Sequence, residues 1–345
     1  MKVAVSPYGR FGNLEVSRFD IRSAGGTEIS LISHGAVLAS VKTPDRRGNS
    51  DEITLGFDTL EDYVANRRYF GATIGRYGNR IAGGRFSLNG TAYILETNNG
   101  PNHLHGGFDG FDRRLWDAEP FESSAEAGVL FTLVSPDGDQ GYPGTLNVRL
   151  RYTLTDSGEL RMEYEATSDG DTIINLTNHT FWNLAGAGSG TVRDHVFQSA
   201  ATAYLPVDEV SIPLGEIRTV EKSPFDFRTA KPVGREIDSL PVGYDHCLVL
   251  PRPWGEVRYA GTMTNPASGR KMELYTDQPG FQFYTAGYLP DGTPVSGGRQ
   301  AGKFGAFCLE TQNFPDAPNR PDFPRPVLRP GQVYRHRTIH RFSAE

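Results

Sequence analysis

Methionine and cysteine are scarce in this 345-residue chain, with four Met and two Cys, Cys247 and Cys308. Two cysteines cannot build a disulfide framework, so reduced core thiols are the expectation. No run of roughly 18 apolar residues occurs, which excludes an ordinary membrane-spanning helix. The opening Met1-Lys2-Val3-Ala4-Val5-Ser6-Pro7 lacks the apolar core of about 7–15 residues that marks a secretory signal. A cytoplasmic location is the expectation. Net charge is −6 without long runs of either sign, so no nucleic-acid or anionic-membrane footprint is visible. Also missing are alternating strands and helices, internal repeats and low-complexity linkers.

Turn residues and aromatics are plentiful instead: Gly 40, Pro 23, Phe 20 and Tyr 15. That composition suits β structure. In Leu146–Thr155 every even-numbered residue is apolar or aromatic and every odd one polar. After a turn at Asp156-Ser157-Gly158 the pattern repeats over residues 160–167, and the apolar run 128–134 precedes both. This predicts a meander with one wet and one dry face. Further strand candidates lie at 14–16, 28–32, 37–41, 172–177, 203–206, 247–250, 271–275, 281–284, 304–309 and 333–341. Residues 58–64 are the best short-helix candidate, with Asp58 as N-cap and Glu61 three residues on. The predicted fold class is all-β: a large antiparallel β-sandwich with few short helices, in a single domain spanning 1–345.

Polar clusters interrupt this pattern at the ends of strand candidates. The first is Gly75-Arg76-Tyr77-Gly78-Asn79-Arg80-Ile81, whose glycines allow close backbone approach while Asn79 and Arg80 offer donors. It does not match a phosphate-binding loop. The second is Asn102-His103-Leu104-His105-Gly106-Gly107. Two histidines one residue apart invite a metal reading of cupin type, but only Asp109 follows where a glutamate is wanted. In the third, Asn175-Leu176-Thr177-Asn178-His179-Thr180-Phe181-Trp182, alternation puts Asn175, Thr177 and His179 on one face, flanked by aromatic residues. Amides, an imidazole and an aromatic wall suit a sugar, whose C–H face stacks on rings while its hydroxyls are hydrogen-bonded. Tyr244-Asp245-His246 and the Gln282 of Phe281-Gln282-Phe283 say little alone. The last cluster begins with Phe307-Cys308-Leu309-Glu310 and continues Thr311-Gln312-Asn313-Phe314-Pro315-Asp316. It reads as a buried strand opening into a polar loop at Glu310, which is either a loop anchor or an acid/base group.

Taken together, these clusters resemble the aldose 1-epimerases, also called galactose mutarotases. They appear in the family's order across nearly the whole chain. The resemblance implies a galactose mutarotase-like supersandwich and an isomerase acting on free hexoses, with no cofactor and no metal. It further implies Glu310 as general base and His179 as general acid, with Arg80, His105, Asp245 and Gln282 holding the sugar and Asn79 also in contact. Thr311, Gln312, Asn313 and Asp316 are expected to position the carboxylate. The expected partner is an aldohexose, the expected assembly a monomer or homodimer, with no nucleic acid and no membrane.

Anomer exchange requires a proton removed from the C1 hydroxyl and another delivered to the ring oxygen. A general acid and a general base each give roughly 10²–10⁴-fold, on the order of 5–11 kcal/mol together. Ordinary pKa values of about 4.3 for Glu and about 6.5 for His predict an ionised base facing a charged acid between those limits. That leads to a bell-shaped pH dependence. Two alternatives are a non-catalytic carbohydrate-binding protein and a hexose-6-phosphate 1-epimerase using Arg76 or Arg85 as a phosphate clamp.

Overall fold

The computed structural model describes residues 1–345, and antiparallel strands dominate it. The meander read from the alternation forms three strands of a nine-stranded sheet. Glu126–Ser135, Leu146–Thr155 and Glu159–Ser168 pair in register. The last strand, Tyr334–Ala344, closes against Glu159–Ser168 on one side and Arg270–Thr276 on the other. Leu146, Val148, Leu150 and Tyr152 are buried, as the period of two requires. The wet face is shorter than expected, because Thr153 and Thr155 are buried too.

Two five-stranded sheets cover this large one. Phe19, Ile21, Ile29 and Leu31 of the N-terminal sheet join Val129, Phe131 and Leu150 in one core; the Phe19 and Phe131 rings meet edge to face at 6.0 Å. Leu248, Phe281, Phe283 and Leu309 of the other sheet enter the same core. Each such side chain contributes about 1.5–3 kcal/mol by leaving water. This buried seam makes the architecture a sandwich.

The second five-stranded sheet carries the chemistry. Its strands Asp245–Val249, Gly280–Tyr284 and Cys308–Gln312 lie side by side, with Cys247 opposite Gln282 and Gln282 opposite Glu310. Since alternate residues share a face, the apolar Leu248, Phe281, Phe283 and Leu309 turn to the core. Asp245, Cys247, Gln282, Tyr284, Cys308 and Glu310 take the opposite face.

Two local readings are corrected. The strand anticipated at 304–309 begins at Cys308 and runs through Gln312, so Glu310 stands mid-strand rather than at a strand-to-loop boundary. Phe304 has φ 62° and belongs to a turn. The amide-rich stretch stays extended because pairing with Gly280–Tyr284 satisfies its backbone. The α-helix spans Leu60–Ala65 and is capped by Thr59, whose hydroxyl accepts the Asp62 N–H at 3.2 Å. Asp58, expected as the cap, instead accepts the Gly297 N–H at 2.9 Å.

Candidate active site

The polar face of that sheet forms one wall of a cavity of about 540 Å³, and segments from elsewhere in the chain complete it. His179 arrives on the short strand Thr177–His179, which pairs with Ala72–Ile74. Asn79, Arg80 and His105 come from the glycine-rich turns. These two turns are zipped together by a two-residue ladder, His103 opposite Ile81 and Leu104 opposite Arg80. Asn79 and His105 sit at φ 63° and 52°, a left-handed backbone that costs a non-glycine residue of order 1–3 kcal/mol. All seven residues anticipated for the site, Asn79, Arg80, His105, His179, Asp245, Gln282 and Glu310, line this one cavity.

Glu310 and His179 are 2% and 5% exposed, and Glu310 Oε1 lies 3.6 Å from His179 Nε2. Glu310 Oε2 has no protein partner, nor does Gln282 Oε1. Buried acceptors of this kind are costly unless a donor meets them, and a ligand's hydroxyls are such donors. Gln282 spends its own N–H on Asp245 Oδ1 at 2.6 Å. Arg80 is held through Nε by Asn99 Oδ1 at 3.0 Å, which leaves its terminal nitrogens for the cavity.

Burial shifts both groups away from the charged forms that ordinary pKa values favour. Burial pushes the His179 imidazole down to about 4. Burial also raises Glu310 well above the carboxylate range, with the Asp245 charge adding to the rise and Arg80 opposing it. Desolvation disfavours any charged form. In this site it works against the charged form of both groups, while the Arg80 charge favours the carboxylate of Glu310. His105 is pushed well below its usual value, again by burial first.

Phe181 stacks on the His179 ring at 4.9 Å and lines the cavity with Tyr284. Trp182, its expected companion in the aromatic wall, turns away and packs on His340 and Phe342. Asn175, expected on the His179 face, donates to Gly78 O and accepts the Asn313 N–H, tying two site loops together. His103 does not join His105 as a metal pair: Glu96 O and the Tyr142 hydroxyl occupy its two nitrogens.

Thr311, Gln312, Asn313 and Asp316 make no hydrogen bond to the Glu310 carboxylate. Thr311 faces the core and bonds His336 and Thr338. The wholly buried Asp316 accepts from the Ala82 amide and from Arg320, while its own N–H bonds Arg80 O. It anchors the Arg80 turn to the strand that carries Glu310.

Tyr69, Arg67 and Tyr288 also line the cavity and went unread in the sequence. The Tyr69 ring lies 4.9 Å from His105 and 5.7 Å from His179, under the Arg67 guanidinium. The one available signal was an arginine pair followed by aromatics in a loop, Arg67-Arg68-Tyr69-Phe70. The donor atoms of His105, His179 and Glu310 lie within 4.8 Å of one another, close enough to surround a metal ion.

The aldose 1-epimerase family profile matches residues 17–341. The chain is 45% identical to a galactose mutarotase of Bos taurus over 95% of its length and 94% of the relative's. It is 38% identical to an aldose 1-epimerase of Escherichia coli K12, over 94% of each. Among solved structures, a GalM/aldose epimerase homologue from C. elegans superposes with a TM-score of 0.87 at 31% identity, covering 94% of this chain and 98% of that one. A galactose 1-epimerase from Lactobacillus acidophilus gives 0.87 at 28% identity, covering 99% of both. With match, fold and cavity in agreement, the chain belongs to the aldose 1-epimerase family.

Proposed function

We propose that this protein is an aldose 1-epimerase that interconverts the α and β anomers of free hexoses such as glucose and galactose, with Glu310 as base and His179 as acid. The observation that carries the assignment of roles is the buried pair itself. A carboxyl group and an imidazole stand 3.6 Å apart in a cavity whose remaining polar groups suit hydroxyls. Such a pair brackets the two oxygens bonded to C1 of a pyranose. The Glu310 carboxylate takes the C1 hydroxyl proton as His179 Nε2–H protonates the ring oxygen, and the C1–O5 bond breaks with its electron pair moving to O5. Rotation about C1–C2 and the reverse proton transfers close the ring on the other face. The proton count is conserved, and no electrons leave the sugar, so the chemistry needs no redox group.

His105, Arg80, Asn79, Asp245 and Gln282 are assigned to the sugar's hydroxyls and ring oxygen. A binding protein would need those groups but would gain nothing from a buried carboxyl–imidazole pair. A phosphate clamp finds no support at Arg76, which is buried and bonded to Ser135, Pro143 and Gly144, or at the exposed Arg85 outside the cavity lining. Polarimetry on freshly dissolved α-D-glucose and α-D-galactose tests the reading. Acceleration unaffected by exhaustive chelation is the expected result, and no acceleration with either sugar contradicts it.

A further inference from the structure

His105 and His179 stand side by side, ring centroids 5.2 Å apart, yet their Nδ1 atoms meet different neighbours. His105 Nδ1 accepts the main-chain N–H of Asn79 at 3.1 Å. An accepting ring nitrogen carries no proton, so the neutral ring must hold its hydrogen on Nε2. That amide has little freedom: Asn79 is buried at φ 63°, and its own Oδ1 accepts the Arg80 N–H at 2.8 Å. His179 Nδ1 faces the sulfur of Cys308 at 3.7 Å, while its Nε2 faces Glu310. The His179 carbonyl already accepts the Gly71 N–H at 3.1 Å. As the acid, His179 gives its proton to the ring oxygen from Nε2 and takes it back there, so Nε2 is bare in the neutral ring. The neutral His179 ring must then carry its hydrogen on Nδ1, towards the sulfur.

We propose that the two histidines are held in opposite tautomers: Cys308 Sγ positions His179 by receiving its Nδ1–H, while the Asn79 amide fixes His105 as an Nε2–H donor. This deepens the acid–base reading above and rests on it. Only His179 then exchanges a proton with the ring oxygen. His105 is a permanent hydrogen-bond donor to a sugar oxygen, which gives the different roles of the two neighbouring imidazoles a structural basis.

The choice of sulfur has a chemical consequence. A thiol is a weak acceptor, so it orients the ring without stabilising the imidazolium as a carboxylate would. Burial holds the Cys308 thiol neutral by raising it well above its ordinary value. The charged and titratable groups facing His179 are Glu310, Asp245, His105, Tyr69, Tyr284 and Cys308. None places a negative charge at Nδ1, so the protonated ring is a strong acid, suited to the weakly basic ring oxygen of a hemiacetal. The same tautomer assignment disqualifies the three clustered donors as a metal site. To ligate through Nε2, His105 would have to move its proton to Nδ1, where the Asn79 N–H already points.

The test is long-range ¹H–¹⁵N correlation of histidine-labelled protein at neutral pH. The expected result is an Nε2–H pattern for His105 and an Nδ1–H pattern for His179; a shared tautomer overturns the proposal. As a second measurement, Cys308→Ala lowers kcat roughly three- to tenfold, the worth of one ordinary hydrogen bond, with KM little changed. Cys308→Ser, with a better acceptor, retains more of the rate and moves the acid limb of the kcat profile to higher pH. Equal losses in both variants with unmoved limbs reduce Cys308 to packing and also overturn the proposal. Failure here is distinguishable from failure of the underlying reading, because the tautomers are read in the wild type without turnover, whereas the acid–base roles stand or fall on Glu310→Gln.

Discussion

Gln282 Nε2 donates to Asp245 Oδ1 at 2.6 Å across two neighbouring strands. The carboxylate held this way adds to the proton affinity of Glu310. Asp245 thereby has an electrostatic task besides any contact with sugar. Asp245→Asn keeps an acceptor for Gln282 but removes the charge, so Glu310 loses its proton more readily. The alkaline limb of kcat/KM then moves to lower pH, which a pH–rate profile detects. A limb that stays in place means Asp245 acts on the ligand alone.

For the wild type, the proposed acid–base pair is expected to function with one proton shared between its members. As pH falls through the value of His179, near 4, the pair gains a second proton and loses its base. As pH rises through the elevated value of Glu310, the pair loses its only transferable proton. The profile of kcat/KM should therefore be a plateau whose acid limb lies near pH 4 and whose alkaline limb lies above the ordinary carboxylate range, its two limbs belonging to the pair as a unit. An alkaline limb inside the ordinary carboxylate range would contradict this.

The chain has eight histidines, and burial lowers every one: His34, His103, His179, His195 and His336 to about 4, His340 to about 3, with His105 and His246 also depressed. Between the unfolded value of about 6.5 and these folded values, the unfolded chain binds more protons than the native one. Stability therefore rises with pH across that interval and is lost as pH falls through it. Melting temperature measured from pH 7 to pH 4 should drop continuously, most steeply below about 6. A flat Tm over that range would show that these rings titrate freely in the folded protein.

Much of this architecture was legible in advance, because the meander at Leu146–Thr155 obeys a period that only a one-faced strand satisfies. The site was legible for a different reason: the family resemblance singled out Asn79, Arg80, His105, His179, Asp245, Gln282 and Glu310, although Asp245 and Gln282 say little alone. What escaped depends on long-range geometry. Tyr69 reaches the cavity from a loop with no periodicity, at φ 59°. Trp182 and Phe181 look alike in sequence, but strand alternation sends one to the core and the other to the cavity. The placement of Glu310 mid-strand needed the pairing partner Gly280–Tyr284, which local composition does not reveal. Nor does composition report desolvation, which lowers His179 and raises Glu310.

The central claim is that the carboxyl group of Glu310 carries the proton exchange. Glu310→Gln is nearly isosteric and keeps the cavity wall. Polarimetry on fresh α-D-galactose should show kcat lowered by roughly 10²–10⁴-fold, with the melting temperature close to that of the wild type. A mutant that is folded and turns over at the wild-type rate would contradict the account.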